Sequence, residues 1–200
     1  SHSVDAEGNE SYTGADGSSG TMNADGSSTH SDADGNSHSV DADGNESYTG
    51  ADGSSGTMSA DGSSTHTDAD GNSHSMDADG NESYASADGS SGTMSADGSS
   101  THTDAEGNSS TTDADGGGTY TDADGSSGSY SADGSYSHTD ADGNSHSMDA
   151  EGNESYTGAD GSSGTYSADG GGTYTDADGS SGTWDADGGG TYESADGSSG

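Results

Sequence analysis

The chain has 200 residues, of which 39 are Asp or Glu and none is Lys or Arg, so its formal net charge is −39 at pH 7. Only 20% of its residues are hydrophobic, which is too few to bury an ordinary core against the entropy cost of ordering the chain. The charge excludes nucleic acids and anionic membranes as partners and favours cations. There is no Cys for a disulfide and no apolar run long enough for membrane insertion.

A nine-residue repeat organises the whole sequence. Ala-Asp/Glu-Gly recurs from Ala6 to Ala195 at every ninth residue, without a break that could serve as a linker. Residues 1–200 are therefore predicted to form one continuous array, which starts within a repeat and is interpreted as a piece of a longer chain. A second period of 18 lies above the first, because units with His or Tyr four residues after the glycine alternate with units that carry Met, Val, Tyr or Trp one position later.

In chain order, each unit predicts one short strand and one turn. The stretches between glycines alternate in side-chain type, as in Thr57-Met58-Ser59 and Thr65-His66-Thr67, which favours strands of a few residues. Asp-Gly at each boundary is typical of turns, and glycine at every ninth position excludes helices. Two strands and two turns in every 18 residues predict an all-β repetitive β-solenoid, or β-roll, of about 11 coils. The Met, Val, Tyr and Trp positions are predicted to supply its apolar packing.

The carboxylates are the most specific signal for a site. Stacked coils would place them in columns at ~4.8 Å, where neighbouring charges repel unless cations lie between them. Ca²⁺ suits the carboxylate, amide and backbone oxygens of Asp-Ala-Asp-Gly-Asn, and it is the predicted cofactor. The alternative is a solvated acidic rim that keeps the rod soluble. The predicted metal ligands are Asp32, Asp34, Asn36, Asp41, Asp43, Asn45, Asp68, Asp70, Asn72, Asp77, Asp79, Asn81, Asp140, Asp142 and Asn144.

In its period, its acidity and its lack of Cys, the array resembles the RTX nonapeptide repeats, which form calcium-bound β-rolls with 18 residues per coil in secreted bacterial proteins. The resemblance implies a calcium-dependent fold outside the cell. The letters differ, because the RTX aspartate follows a glycine by two residues whereas Asp34 and its equivalents precede the glycine. The calcium geometry of that family is therefore not transferred to individual residues.

Hydroxyl residues give a second resemblance. Segments such as Thr65-His66-Thr67 and Thr173-Tyr174-Thr175 are similar to the Thr-x-Thr ladders of ice-binding and ice-nucleating β-solenoids, and they imply ice binding as an alternative function. The nested periods of 9, 18 and 36 also resemble those of ice-nucleation proteins, although the unit of those proteins has eight residues. Ser and Thr are equally the common filler of a glycine-rich β surface.

Two further sets of residues are candidate surface sites. Asn-x-Ser is the acceptor pattern for N-glycans. The alternating Tyr and His positions are predicted to form a lateral contact stripe between rods. The glycosylation candidates are Asn9, Asn45, Asn81, Asn108 and Asn153, and the lateral contact candidates are Tyr48, His66, Tyr84, His102, Tyr120 and His138.

The sequence as a whole predicts a secreted structural protein. We expect the body of an extracellular fibre, stalk or adhesin rod that associates with itself, binds cations and carries glycans. Ice binding or ice nucleation is one alternative, and a calcium-dependent folding module of a secreted protein is another. No enzyme is predicted, since Ser, His and Asp occur everywhere and no catalytic arrangement stands out.

Overall fold

The computed structural model describes all 200 residues, and it confirms an all-β protein built from regular repeats. The chain divides into two compact units, residues 1–97 and residues 98–200. Each unit contains eleven strands, nearly all of them four residues long, joined by short turns. No helix in the structure could cross a membrane.

The first unit contains strands β1 to β11. They are β1 His2–Val4, β2 Glu10–Thr13, β3 Ser19–Met22, β4 Ser28–Ser31, β5 Ser37–Val40, β6 Glu46–Thr49, β7 Ser55–Met58, β8 Ser64–Thr67, β9 Ser73–Met76, β10 Glu82–Ala85 and β11 Ser91–Met94.

The second unit contains strands β12 to β22. They are β12 Ser100–Thr103, β13 Ser109–Thr112, β14 Gly118–Thr121, β15 Ser127–Tyr130, β16 Tyr136–Thr139, β17 Ser145–Met148, β18 Glu154–Thr157, β19 Ser163–Tyr166, β20 Gly172–Thr175, β21 Ser181–Trp184 and β22 Gly190–Glu193.

Within each unit, every strand pairs antiparallel with the next strand in sequence. Tyr48 of β6, for example, lies opposite His38 of β5 on one side and Gly56 of β7 on the other. The backbone of each strand lies beside only its neighbours in sequence, so each unit is a single layer of antiparallel strands. This pairing differs from the predicted coils, in which each strand would lie beside the strand 18 residues further on. Residues 18 apart are instead two strands apart.

The turn explains this difference. In the turn 41–45, the Asp41 N–H donates to the Asn45 carbonyl at 2.9 Å and the Gly44 N–H donates to the Asp41 carbonyl at 3.1 Å. Gly44 has a φ of 86°, in the left-handed region that glycine adopts without steric cost. These features define a type I turn followed by a glycine bulge, which reverses the chain into a hairpin. The next strand must therefore pair with the preceding one.

The single layer leaves no interior. No hydrophobic residue is buried, and the Met22, Met58 and Met94 side chains are 62%, 59% and 58% exposed. The prediction that the Met, Val, Tyr and Trp positions pack inside a coil is therefore wrong, because no second layer covers them. Ala24 and its equivalents lie exposed in the turns.

The two faces of each unit differ in chemistry. Alternate residues of a strand point to opposite faces, and residues in direct register point to the same face. In the first unit, one face carries the row His2, Tyr12, Gly20, His30, His38, Tyr48 and onward, together with the row that contains Glu46, Met58 and Ser64. We call this the aromatic face. The opposite face carries Ser and Thr almost throughout, and we call it the hydroxyl face.

The packing of tyrosine over glycine on the aromatic face predicts that Gly56 does not tolerate a larger side chain. A Cβ at Gly56 would lie 2.5 Å from Tyr48 Cε1 and 2.6 Å from the backbone oxygen of Thr65. We expect Gly56→Ala to lower the free energy of unfolding by about 1–3 kcal/mol, which urea denaturation followed by circular dichroism would measure. Ser55→Ala, on the other face of the same strand, is the control and should change it by less than about 0.5 kcal/mol. Equal effects of the two variants would contradict the placement of Tyr48 over Gly56.

Candidate interaction face

The aspartate that opens a turn acts as its anchor. Asp41 Oδ1 accepts hydrogen bonds from the backbone N–H groups of Asp43 and Asn45, both at 2.9 Å, and Oδ2 accepts one from Asn45 Nδ2 at 2.8 Å. Both carboxylate oxygens of Asp41 are therefore engaged inside their own turn. Where Ser or Gly opens the turn, the aspartate before the left-handed glycine takes over, as when Asp61 accepts from the Ser63 N–H and hydroxyl at 2.9 and 2.7 Å.

The asparagine that closes such a turn links it to another turn. Asn45 Oδ1 accepts a hydrogen bond at 2.9 Å from the backbone N–H of Ala60, in the next turn along the same side of the sheet. Turns on one side follow every second strand, so each is about 10 Å from the next. The asparagine amide spans this gap, and it links the turns in pairs, because the second turn of each pair closes with Ser or Gly instead of Asn.

This network argues against the predicted glycosylation. In all five candidates, the half-buried side chain uses its amide nitrogen to hold the opening aspartate and its amide oxygen to hold the next turn. Asn153, for example, donates to Asp149 Oδ2 at 2.8 Å and accepts from the Ala168 N–H at 3.1 Å. A glycan on that nitrogen would disrupt the bonds. The other four candidates with the same arrangement are Asn9, Asn45, Asn81 and Asn108.

The structure places the predicted metal ligands in these turns, three to a turn. The opening aspartates are anchors with both oxygens occupied, the closing asparagines hold the next turn, and the middle aspartates are exposed. No group of three or more His, Cys, Asp or Glu side chains is placed to hold a metal ion. Calcium at the turns stays a prediction. The residues in question are Asp32, Asp34, Asn36, Asp41, Asp43, Asn45, Asp68, Asp70, Asn72, Asp77, Asp79, Asn81, Asp140, Asp142 and Asn144.

The electrostatic reason for expecting cations is weaker in this fold than in stacked coils. Carboxylates of neighbouring turns on one side of the sheet are separated by two strand spacings, about 10 Å, instead of ~4.8 Å. That separation is about one Debye length at physiological salt, and the groups lie in water, so their repulsion is largely screened.

On the aromatic face, tyrosine side chains cross a glycine to reach histidine two strands away. The Tyr48 ring lies over Gly56, and its hydroxyl is hydrogen-bonded to His66 Nδ1. The two rings stack with their centroids 6.0 Å apart and their planes 28° apart. Tyr12 and His30 repeat this arrangement across Gly20 in the first unit, and Tyr120 and His138 repeat it across Gly128 in the second. The glycine provides the space, and the ring covers its backbone.

Glutamate and methionine complete a shallow pocket beside each such tyrosine in the first unit. Glu46, Tyr48, Met58, His66 and His74 line a pocket of about 250 Å³ on strands β6 to β9. His38 Nε2 lies 3.3 Å from Glu46 Oε2, and about half of each side chain is exposed. The pocket therefore combines a carboxylate, an aromatic ring and a thioether at an open surface.

The predicted lateral contact residues all fall in register rows of the aromatic face. Tyr48 contacts His66, and Tyr120 contacts His138, within the sheet. Tyr84 lies in register with His74 and Gly92, and His102 with Ser110. Part of the Tyr and His surface is therefore used inside the sheet, which leaves the ring faces and edges at the surface.

The hydroxyl face carries matched pairs that sequence reasoning missed. Ser39 and Ser47 hydroxyls lie 2.7 Å apart on neighbouring strands, and Thr57 and Thr65 hydroxyls lie 2.8 Å apart. Every such pair joins Ser to Ser or Thr to Thr. In the sequence, these pairs are visible as identical hydroxyl residues eight positions apart. The pairs are Ser3–Ser11, Thr21–Thr29, Ser39–Ser47, Thr57–Thr65, Ser75–Ser83, Thr111–Thr119, Ser129–Ser137, Ser147–Ser155, Thr165–Thr173 and Thr183–Thr191.

Comparison with known proteins identifies the fold through solved structures. The chain matches no family model and no curated protein. The TCP10 domain of Danio rerio CPAP, solved in complex with a peptide of Danio rerio STIL, is 16% identical with a TM-score of 0.50, over 85% of this chain and 94% of that chain. The G-box domain of the microcephaly protein CPAP, to which a role in centriole elongation is attributed, is 17% identical with a TM-score of 0.53, over 75% of this chain and 98% of that chain.

These likenesses correct several predictions. The fold is shared with domains of a centriole protein, one of them bound to a peptide, so the predicted extracellular fibre, stalk or adhesin rod is wrong. The predicted partners, namely further copies in a fibre, cations and glycans, and the predicted secreted location are overturned with it. These likenesses do not test the resemblances to RTX repeats and to ice-binding proteins, so calcium-dependent folding and ice binding stay predictions.

The turn anchors give a pH-dependent prediction. Hydrogen bonds from the Asn45 side chain and then its backbone N–H lower the pKa of Asp41 below its ordinary value of 3.8. A lowered pKa in the folded chain means that the ionised group stabilises the fold above pH ~4, and that this contribution is lost as the pH falls through the folded pKa. We expect Asp41→Ala to lower the Tm at pH 7 and to have a progressively smaller effect below pH ~4, measured by circular dichroism.

Asp43→Ala is the matched control, because it removes the same charge from the same turn at an exposed position. It should leave the Tm close to that of the parent chain. If both variants lowered the Tm equally, or if the effect of Asp41→Ala persisted at low pH, Asp41 would not act as an anchor.

Proposed function

We propose that this chain is a protein-interaction module that binds a cationic segment of a partner protein on its aromatic face. One observation carries the proposal: large side chains of the aromatic face lie exposed in both single-layer units, Tyr and Met in the first and Tyr in the second. Exposed apolar and aromatic surface of this extent marks interaction sites in soluble proteins. Tyrosine and methionine are also enriched at interface centres.

Charge selects the class of partner. The chain has no Lys or Arg to balance 39 acidic residues, so its net charge attracts cations and repels anions. Glu10, Glu46 and Glu82 recur on the aromatic face itself, and the aspartate turns flank that face on both sides. A segment rich in Lys or Arg would therefore be steered to the sheet and oriented on it.

The comparison with solved structures supports binding of a peptide. The TCP10 domain of CPAP has a similar fold and was solved with a peptide of STIL. That partner belongs to CPAP and is not transferred here. The likeness supports a peptide as the class of partner for this chain.

The sequence-based prediction that the chain is not an enzyme is retained within this proposal. The described pockets are shallow depressions on exposed faces, and the Tyr, His and Glu side chains in them bond one another in repeating sets. A surface that repeats along the chain suits recognition by many small contacts better than one catalytic centre.

A binding experiment tests the proposed face. We expect a fluorescein-labelled peptide of alternating Arg and Leu to bind at low salt, with affinity that falls steeply as salt rises, in fluorescence anisotropy. Met58→Ser should weaken binding by about tenfold, since it removes an apolar contact on the aromatic face. Thr49→Ser, on the hydroxyl face of β6, should leave it unchanged. If both variants bound like the parent chain, or if an acidic peptide of the same length bound equally well, the proposal would be wrong.

A further inference from the structure

We propose that the first unit contains two equivalent arginine-binding pockets, and that its partner therefore carries two arginines about 19 Å apart along an extended segment. This inference rests on the proposed function and specifies the chemistry of its partner. The observation behind it is that one pocket of the aromatic face occurs twice, 36 residues apart, within residues 1–97.

The two pockets share Glu, Tyr, Met and His at equivalent positions, and they differ in one further histidine, which is His2 in the earlier pocket and His74 in the later one. Glu10, Tyr12, Met22 and His30 line the earlier pocket, of about 230 Å³, on β2 to β4. The later pocket, of about 250 Å³, has Glu46, Tyr48, Met58 and His66 at the positions 36 residues further on. Each tyrosine is hydrogen-bonded to the histidine of its own pocket across a glycine. A ligand group that contacts these four shared side chains in one pocket can therefore make the same contacts in the other.

The chemistry of each pocket suits a guanidinium group. The half-exposed Glu46 uses one oxygen, Oε2, toward His38, which leaves Oε1 at the surface for a cationic donor. The Tyr48 ring offers a face for stacking a planar cation, and Met58 offers apolar contact for the side-chain methylenes. Arginine uses all three groups, whereas the ammonium of lysine is a compact point charge that is more strongly hydrated.

The tyrosine is held in place before any ligand arrives. Its ring lies against Gly56, where a Cβ would clash with it, and its hydroxyl is fixed by His66. A ring already held in one position loses little freedom when a guanidinium stacks on it, and such preorganisation strengthens binding.

The spacing follows from the pairing of the strands. Equivalent positions of the two pockets are four strands apart, which is about 19 Å at ~4.8 Å per strand. An extended peptide rises about 3.3 Å per residue, so six residues span that distance. Six is an even number, so both side chains of an extended segment point to the same side. The fitting motif is therefore Arg-x5-Arg lying across the strands.

Peptides that differ only in spacing test the inference on the full chain. Labelled Arg-x5-Arg, Arg-x4-Arg and single-arginine peptides, with the other positions Ser and Gly, would be compared by anisotropy at low salt. We expect Arg-x5-Arg to bind at least about tenfold more tightly than the single-arginine peptide, because the second contact becomes intramolecular. Arg-x4-Arg, whose two side chains point to opposite sides, should bind much closer to the single-arginine peptide. Lys-x5-Lys should bind more weakly than Arg-x5-Arg.

Charge-matched variants locate the contacts. Glu46→Gln should reduce the affinity for Arg-x5-Arg to nearly that for the single-arginine peptide, and Glu10→Gln should do the same. Asp43→Asn removes the same charge from an adjacent turn and should have little effect. If affinity ignored spacing and Glu46→Gln matched Asp43→Asn, the paired pockets would be refuted, while the proposed function would stand provided that Met58→Ser still weakened binding of the Arg and Leu peptide. If no cationic peptide bound, both would fail.

Discussion

The five-residue turn with its left-handed glycine is the constraint on which the rest of the structure depends. A glycine with φ between 81° and 98° occupies the same position in every turn. Along the chain, the backbone of the first residue of a turn is hydrogen-bonded to the backbone of its fourth and fifth residues. A hairpin turn admits antiparallel pairing with the next strand and fixes its register. The register places Tyr48 opposite Gly56 and Thr57 opposite Thr65, so both faces follow from the turn.

Stability in this sheet is distributed over many small contacts, since there is no core to concentrate it. Each strand has only four residues, and an isolated two-stranded hairpin is marginal in water. Repetition compensates, because every added strand brings the same ladder of backbone bonds, the same anchored turn and the same cross-strand side-chain pairs. The carboxylates of the turns accept hydrogen bonds in their ionised form. The turns also lie at the edges of the sheet, where the 39 acidic residues of the chain can stay hydrated. Acidity and fold therefore support each other in this chain.

The sequence was sufficient to predict strands, turns and their period, but not the pairing of the strands. A period of 18 places residues i and i+18 in one column both in a two-strand coil and in a hairpin meander, so the alternation of Tyr12, His30 and Tyr48 is compatible with either. Identical hydroxyl residues eight positions apart distinguish the hairpin meander from the coil. Ser39 matches Ser47 and differs from Thr57, and like hydroxyl residues pair across neighbouring antiparallel strands, whereas coils would favour likeness at 18.

The residues of the candidate site could be predicted from the sequence, but their roles could not. The Tyr and His positions stood out, yet only the register shows that Gly56 lies between Tyr48 and His66 and that Glu46 and Met58 flank the same ring. The aspartates stood out as metal ligands, whereas their spacing within the turn suits backbone N–H groups at positions three and five. In both cases, sequence identifies the chemical groups and the turn decides what they face.

A single-layer sheet has a functional consequence that a closed coil lacks. Both faces of every strand stay at the surface, so side chains that would form an interior in a two-layer fold are available to a partner. Because the sheet has no interior, internal packing does not require those side chains. The recurrence of Glu, Tyr, Met and His at intervals of 36 residues, in a chain that buries no hydrophobic residue, therefore calls for an explanation outside its own interior. Recognition of a partner with matching spacing supplies one, because repeated weak contacts add along an array whose geometry is fixed by its turns.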